Sequence, residues 1–481
     1  MKLVDLLQGI EVLDMKIDPS LEISAVISDS RKVVPGSLFV AVSGFASDGN
    51  RFIPMALEKG AVAVVTAQKP EQDIPYVLVT SDRLALALLG TNFYGHPAES
   101  MTMIGVTGTN GKTTTTWLLK QVLQQVNGAK VGLVGTMENH IADQILHTER
   151  TTPESIELQA LFDQMRFAGC SYAIMEVSSH ALVLDRVAGI TFDVAAFTNL
   201  TEDHLDFHKT MEAYCDAKAI LFSRCRRAVV NGDDPWMNRM LADCRAPVIT
   251  ATVEGDGSLR AENMVLNADG VSFTAICGEE SAEVHVAIPG KFTVRNVLTV
   301  LGIALQLGIS LNESAAALAN VTGVKGRVEV VPTPGKDYTI LIDYAHTPDG
   351  LENVLSSVKD FCKGRLIAVF GCGGDRDPIK RPIMGKIGVD IADIAIITSD
   401  NPRTEAPDAI IRDIVAGVGE AKNYKVVENR PKAIKYAMDI AKKDDIIVLA
   451  GKGHETYQEI MGVKHHLDER EVVAEYLAEM R

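Results

Sequence analysis

Nine consecutive residues, Gly105-Val106-Thr107-Gly108-Thr109-Asn110-Gly111-Lys112-Thr113, are of the types that can hold a nucleoside triphosphate. Glycines let backbone N–H groups close around phosphate oxygens, and a helix N-terminus adds partial positive charge there. Lys112 can reach the β- and γ-phosphates and Thr113 can bind Mg²⁺, with Gly108, Thr109, Asn110, Gly111 and Thr114 completing the cradle. The G-x-x-x-x-G-K-[ST] pattern asks for glycine at position 106, where this chain has Val106, with Gly105 one place earlier. The plainer alternative is a tight strand-to-helix turn that needs small residues, but it leaves Gly111-Lys112-Thr113 at a helix start without a reason. A phosphate loop alone names no reaction.

The elements that must position this loop are legible around it. An apolar run from Met101 precedes it and a long polar/apolar helix pattern follows. Further buried strands are expected at Tyr172 to Val177, Val194 to Phe197 and Ala228 to Val230, an alternation that predicts a doubly wound sheet. Before it, residues 22 to 97 read as short β-rich runs such as Ser37 to Val42 and Ala61 to Thr66, broken by turns at Gly44 and Asp48-Gly49. A second strand set starts near Gly326, with Thr339 to Tyr344, Leu366 to Gly371, Ile394 to Ser399 and Asp445 to Gly451, separated by helical stretches such as Asp408 to Val418. The fold expected is α/β with three domains: a smaller N-terminal α/β domain (1–97), a central P-loop doubly wound sheet (98–324) and a C-terminal Rossmann-like domain (325–481). In each set the polar or glycine residues follow the strand, where open α/β sheets place their crevices.

Composition narrows the function further. With 481 residues, 63 acidic against 47 basic side chains and a net charge of −16, the chain offers no broad positive field for a nucleic acid. No window approaches the roughly 18 apolar residues of a membrane span, so no membrane insertion is expected. The start, Met1-Lys2-Leu3-Val4-Asp5, lacks the basic region and apolar run of an export signal, so a cytoplasmic protein is expected. Seven cysteines without a C-x-x-C pair suggest neither a disulfide framework nor a thiolate zinc site, and most are expected to be buried thiols.

Four distant segments give the loop a context: Met175-Glu176-Val177-Ser178-Ser179-His180, Asn199-Leu200-Thr201-Glu202-Asp203-His204-Leu205-Asp206, Asp343-Tyr344-Ala345-His346-Thr347-Pro348 and Gly451-Lys452-Gly453-His454-Glu455. With the loop, and with Asp29-Ser30-Arg31 near the start, they resemble the Mur ligases over essentially the whole chain. The resemblance implies an ATP-dependent amide ligase that activates the carboxylate of UDP-N-acetylmuramoyl-L-alanyl-D-glutamate as an acyl phosphate and joins it to a diamino acid. It further implies that the first domain holds the uridine nucleotide, the central one ATP and the last one the amino acid, in a chain expected to act as a monomer.

Site residues follow from the same resemblance. Thr113 and Glu176 would bind one Mg²⁺, and His204 with Lys218, in carbamylated form, a second. Taken singly, Glu176 reads as a strand-end carboxylate in a salt bridge, His204 as a cap or core histidine and Lys218 as a surface charge. His208, four residues after His204, would share its helix face, but no H-E-x-x-H spacing accompanies it, so zinc is not suggested. Ser30, Thr151, Thr152, Ser178 and Arg186 correspond to residues around the UDP-substrate, and Asn296, Arg327, Asp343 and His346 to residues around ATP. Leu184 and Thr293 stand where relatives carry polar residues, and no role is carried to them.

The amino acid is suggested by Asp400-Asn401-Pro402-Arg403, which resembles the signature of family members using meso-diaminopimelate rather than L-lysine. Diaminopimelate ends in a carboxylate that lysine lacks, and a guanidinium grips a carboxylate with two charge-assisted hydrogen bonds. With lysine bound, a partly buried Arg403 would be left unpaired, at a cost on the order of 2 to 5 kcal/mol. Arg376, Gly451 and Glu455 match the remaining amino-acid contacts. The rivals are an L-lysine-adding ligase, a folylpolyglutamate synthetase-like ligase, against which the long N-terminal segment speaks, and a P-loop ATPase switch.

Overall fold

The computed structural model describes residues 1–44 and 48–479, which form two compact units: residues 1–251 with 302–308, and residues 252–301 with 309–481. The protein is α/β throughout both.

The first unit contains two sheets. In the smaller one, strands β2 (Ala25–Ile27), β3 (Ser37–Val40), β4 (Ala63–Thr66) and β5 (Tyr76–Val79) run parallel, and β1 (Val12–Met15) closes the edge antiparallel to β5. In the larger, β6 (Thr102–Thr107) lies between β10 (Tyr172–Glu176) and β11 (Val194–Phe197), flanked by β7 (Val131–Val134) and β12 (Ala228–Asn231) in parallel register. These strands are nearly all buried, which is why they read as continuous apolar runs rather than alternating ones. Two short antiparallel strands, β8 (Asn139–Ile141) and β9 (Gln144–Leu146), extend the edge beside β7.

The helix Lys112–Asn127 starts after Gly111 (φ 84°) and stops at Gly128 (φ 60°), both glycines supplying left-handed backbone. Glycine at 105 has a packing reason: a Cβ there would lie 2.8 Å from the Phe192 ring. Val106 is fully buried in β6, so the phosphate loop opens only at Gly108 (φ 149°), where a Cβ would collide with Thr198 Oγ1. The displaced glycine is thus a strand-packing residue, and the loop opens at Gly108 rather than at position 106.

The second unit carries β18 (Thr339–Asp343), β19 (Leu366–Phe370), β20 (Ile394–Ile397), β21 (Tyr424–Val426) and β22 (Ile446–Ala450) in a parallel sheet of order β18-β22-β19-β20-β21, with β17 (Glu329–Val331) antiparallel at the edge. Apolar cores on both sides of the sheet are built from residues such as Leu341, Phe370 and Ile414, and Ile340, Ile447 and Ala437. Expected strands and helices appear within a few residues, the helix at Pro407–Ala416 among them. Strands beyond those expected include β13 (Val248–Thr252), parallel to β12, the antiparallel β14 (Leu259–Asn267), β15 (Gly270–Cys277) and β16 (Glu280–Val286), and the hairpin β23 (Tyr457–Ile460) with β24 (Val463–His466). All seven cysteines are free, but only Cys170, Cys215 and Cys372 are buried; the other four are only partly buried, contrary to the expectation that most are buried. Among the described residues no helix is long and apolar enough to cross a membrane.

Candidate active site

In the first unit, the loop after β6 brings the predicted residues into one hydrogen-bonded set. Lys112 Nζ donates to the carbonyls of Gly108 (2.9 Å) and Thr109 (2.8 Å), so the ammonium curls back over the loop that would cradle phosphate. Thr113 Oγ1 donates to Glu176 Oε2 at 3.0 Å, joining the first turn of the helix to the end of β10. Glu176 is buried, and its other partners are the N–H (2.9 Å) and hydroxyl (3.0 Å) of Thr136. No lysine or arginine pairs with it among the described residues, which removes the salt-bridge alternative. A buried carboxylate held only by neutral donors, next to a hydroxyl, is a fitting pair of hard oxygens for a divalent cation. No cluster of three or more His, Cys, Asp or Glu side chains poised for a metal occurs among the described residues.

Lys218 is fully buried, and its Nζ donates to the same Gly108 carbonyl at 2.8 Å. Burial first, and the neighbouring Lys112 charge second, hold its ammonium well below the usual lysine range. It is not a solvated surface charge. Tyr214 lies between Lys218 and His204: Nζ is 4.6 Å from its ring centroid and the His204 ring 6.3 Å away. His204 itself is half-exposed, with left-handed backbone (φ 54°) ahead of the short helix Leu205–His208. It precedes the helix, yet its ring and that of His208 both pack against His180 (4.9 and 5.4 Å, centroid to centroid) and Tyr214 (6.3 and 4.9 Å), and His208 also hydrogen-bonds the Ser179 hydroxyl at 2.9 Å.

Beside Glu176, Thr152 Oγ1 donates to the Glu176 carbonyl (2.8 Å) and accepts from Ser178 N–H (3.1 Å). Arg186 donates to the Thr152 carbonyl (3.2 Å) and pairs with Glu154 (2.7 Å), while Thr151 and Thr136 share a hydrogen bond of 3.0 Å. Thr151, Thr152, Ser178 and Arg186 are thus brought together around the end of β10. Ser30 is buried in its own 3-10 turn, Ser30–Lys32, capped by Asp29, and belongs to the N-terminal sheet rather than to this cluster.

In the second unit, Arg327, Asp343 and His346 gather around Tyr344. The Arg327 guanidinium lies 5.1 Å from the Tyr344 ring, and His346 and His454 stand 4.6 and 4.9 Å from it, centroid to centroid. Asp343 accepts from Val328 N–H and Ala345 N–H, both at 2.8 Å, which fixes Val328 at φ 47°, an unusual backbone for a β-branched residue. Burial pushes the Asp343 carboxyl above the usual carboxylate range, against the pull of Arg327. Asn296 is buried on the helix Lys291–Gln306, outside that cluster of rings.

The turn after β20 holds Asn401 and Arg403, and the turn after β22 holds Gly451 and Glu455. Asn401 Nδ2 donates to Glu455 Oε2 at 2.9 Å, and Arg403 donates to the Gly374 carbonyl at 2.7 Å. Asp375 accepts from both the amide and hydroxyl of Thr404, tying the loop of Arg376 to that of Arg403. Among the described residues Arg376 donates a single long hydrogen bond, 3.4 Å, to the Asp375 carbonyl. Asp400 faces inward instead, its Oδ2 3.7 Å from the fully buried Arg430, and Gly451 (φ 119°) is required because a Cβ would lie 2.6 Å from that oxygen.

Residues 22–87 match the Mur ligase family catalytic domain, 106–304 the Mur ligase middle domain and 326–453 the glutamate ligase domain of Mur ligases. A UDP-N-acetylmuramoyl-L-alanyl-D-glutamate–2,6-diaminopimelate ligase of Clostridium acetobutylicum is 48% identical over 96% of both chains, and one of Clostridium tetani is 46% identical over 100% of both. The chain belongs to the Mur ligase family. A solved structure of a ligase of the same name superposes with a TM-score of 0.76 at 31% identity, covering 100% of this chain and 99% of the other.

For a Mur ligase, several residues of this constellation carried no signal in the sequence. Thr136, which orients Glu176 with two donors, lies in an unremarkable turn after β7. Glu459, whose backbone bonds both Asn401 and Arg403, sits in the unanticipated hairpin. Lys452 and His454 were visible within Gly451-Lys452-Gly453-His454-Glu455 but had no role until their partners were known.

Proposed function

We propose that this chain joins meso-2,6-diaminopimelate to UDP-N-acetylmuramoyl-L-alanyl-D-glutamate, using ATP as co-substrate and Mg²⁺ as cofactor, in peptidoglycan synthesis. The observation that carries the reading is the pair of turns in the second unit that present Arg403, Asn401 and Glu455 together, a cation and an anion suited to a zwitterionic amino-acid end. The names of the relatives support the same substrates. In this reading residues 1–97 hold the uridine nucleotide through Ser30, residues 98–324 hold ATP and the muramoyl peptide, and residues 325–481 hold the amino acid. The protein acts as a cytoplasmic monomer.

A carboxylate is a poor electrophile until its oxygen becomes a leaving group. Transfer of the γ-phosphoryl group to the glutamate carboxylate gives an acyl phosphate and ADP; the amine then attacks the carbonyl carbon, loses a proton, and phosphate leaves as the amide forms. Lys112, released from the Gly108 and Thr109 carbonyls, places its ammonium against the transferring phosphoryl group. Thr113 and Glu176 would hold one Mg²⁺, and His204 and carbamylated Lys218 a second. Those ions, when bound, neutralise phosphate charge. The buried Lys218 is suited to carbamylation because its depressed basicity favours the neutral amine, which adds CO2 and releases a proton. Thr151, Thr152, Ser178 and Arg186 orient the muramoyl peptide, and Asn296, Arg327, Asp343 and His346 the nucleotide.

Phosphate release measured with each component omitted in turn tests this. Release is expected only when ATP, UDP-muramoyl dipeptide and amino acid are all present; robust release with neither of the last two would point to a P-loop ATPase switch.

A further inference from the structure

Lys452 carries no assigned role, yet its side chain is fully buried. Its Nζ donates to Asn401 Oδ1 at 3.1 Å and to Glu455 Oε2 at 3.0 Å. The flanking Gly451 (φ 119°) and Gly453 (φ 53°) press the turn against Asp400 and Tyr344: an added Cβ at either would lie 2.6 Å from the nearest atom. These close approaches hold the turn in place with the Lys452 side chain buried within it.

We infer that Lys452 is a positioning residue that sets which end of Asn401 and which oxygen of Glu455 face the substrate, and that by pairing with Glu455 it keeps that carboxylate from favouring a bare ammonium over a zwitterionic end. The inference rests on the proposal that this pocket takes the amino acid.

The hydrogen-bond count fixes the orientation. Asn401 Oδ1 accepts from Lys452 Nζ and from Glu459 N–H (2.9 Å), and its Nδ2 donates to Glu455 Oε2 (2.9 Å). A flipped carboxamide would set its NH2 against two donors and its oxygen against a carboxylate. Glu455 Oε2 is then occupied by two donors, and Oε1 is the oxygen left for a substrate ammonium. Each of the two carboxylates here has a cation: Glu455 pairs with Lys452 and Glu459 with Arg403. A cation without an accompanying anion gains little from a carboxylate that is already paired, whereas an ammonium and a carboxylate together satisfy Glu455 and Arg403 at once. Without Lys452 the Glu455 carboxylate loses its cation, which favours a bare cation such as the end of L-lysine.

Lys452→Met in the full chain tests this through steady-state kinetics with diaminopimelate and with L-lysine. The KM for diaminopimelate should rise about tenfold or more, the effect of one charge-assisted hydrogen bond, while the KM values for ATP and UDP-muramoyl dipeptide stay within about twofold. The ratio of kcat/KM for diaminopimelate over lysine should fall. Lys452→Arg, which keeps the charge but not the geometry, should raise the KM for diaminopimelate with the ratio retained, and it decides the matter if the Met variant does not fold. An unchanged ratio in the Met variant, or an equal rise in all three KM values, overturns the inference. If the wild type itself does not use diaminopimelate, it is the function reading that fails.

Discussion

Nε of Arg403 lies 3.6 Å from Oε2 of Glu459, so the guanidinium offered to a substrate carboxylate already has a counter-ion within its own chain. The sequence had suggested that lysine would leave Arg403 unpaired. With Glu459 present it does not, and discrimination against lysine should fall toward the lower end of that expectation. Arg403→Ala should lower kcat/KM for diaminopimelate roughly 10- to 100-fold, the range for a hydrogen bond to a charged group, with the KM for ATP unchanged. Glu459→Gln keeps the backbone bonds to Asn401 and Arg403 but removes the competing carboxylate, so it should lower the KM for diaminopimelate. A higher KM would refute the counter-ion account.

Lys112→Ala removes an interaction concentrated on the transferring phosphoryl group. Turnover should drop on the order of 10²- to 10³-fold, while binding of UDP-muramoyl dipeptide, followed by calorimetry, changes little. Equal loss of both would mean that the loop had collapsed.

Lys218→Ala should be nearly inactive, because the second cation loses an anionic ligand, and a small added carboxylate such as acetate should restore part of the turnover. Lys218→Arg should not be rescued, since arginine keeps its charge and forms no carbamate. Full activity of the alanine variant would end the carbamate assignment.

His208 supplies a pH dependence of stability. Burial, helped by His180 and Lys218, pushes its imidazole down to about 4. A histidine whose basicity is depressed on folding stabilises the fold fully above its unfolded value, roughly 6.5, and that stability is lost as pH falls toward about 4. The melting temperature of the full chain should therefore fall between those limits, and His208→Gln should flatten the fall. An identical slope in both proteins would place the effect elsewhere.

How much of this was legible depends on whether a residue's job is local. The phosphate loop could be read because Gly108, Gly111, Lys112 and Thr113 act within six residues. The doubly wound sheets could be read because strands buried on both faces are continuously apolar. Lys218 is different: its helix, Met211–Ala219, looks like an exposed one, and only the fold carries its Nζ to Gly108, 110 residues away in sequence. The strands β14 to β16 hide for another reason, since half-exposed antiparallel strands mix polar and apolar residues in the proportions of a loop.

The most direct test is the mass of the UDP-linked product after incubation with UDP-N-acetylmuramoyl-L-alanyl-D-glutamate, ATP, Mg²⁺ and an equimolar mixture of meso-diaminopimelate and L-lysine. The account predicts a product heavier than the acceptor by one diaminopimelate less one water, formed in step with ADP and phosphate, with the lysine adduct in the minority. A lysine adduct in equal or greater amount would contradict the specificity, and ADP formation with no UDP-linked product would contradict the ligase reading itself.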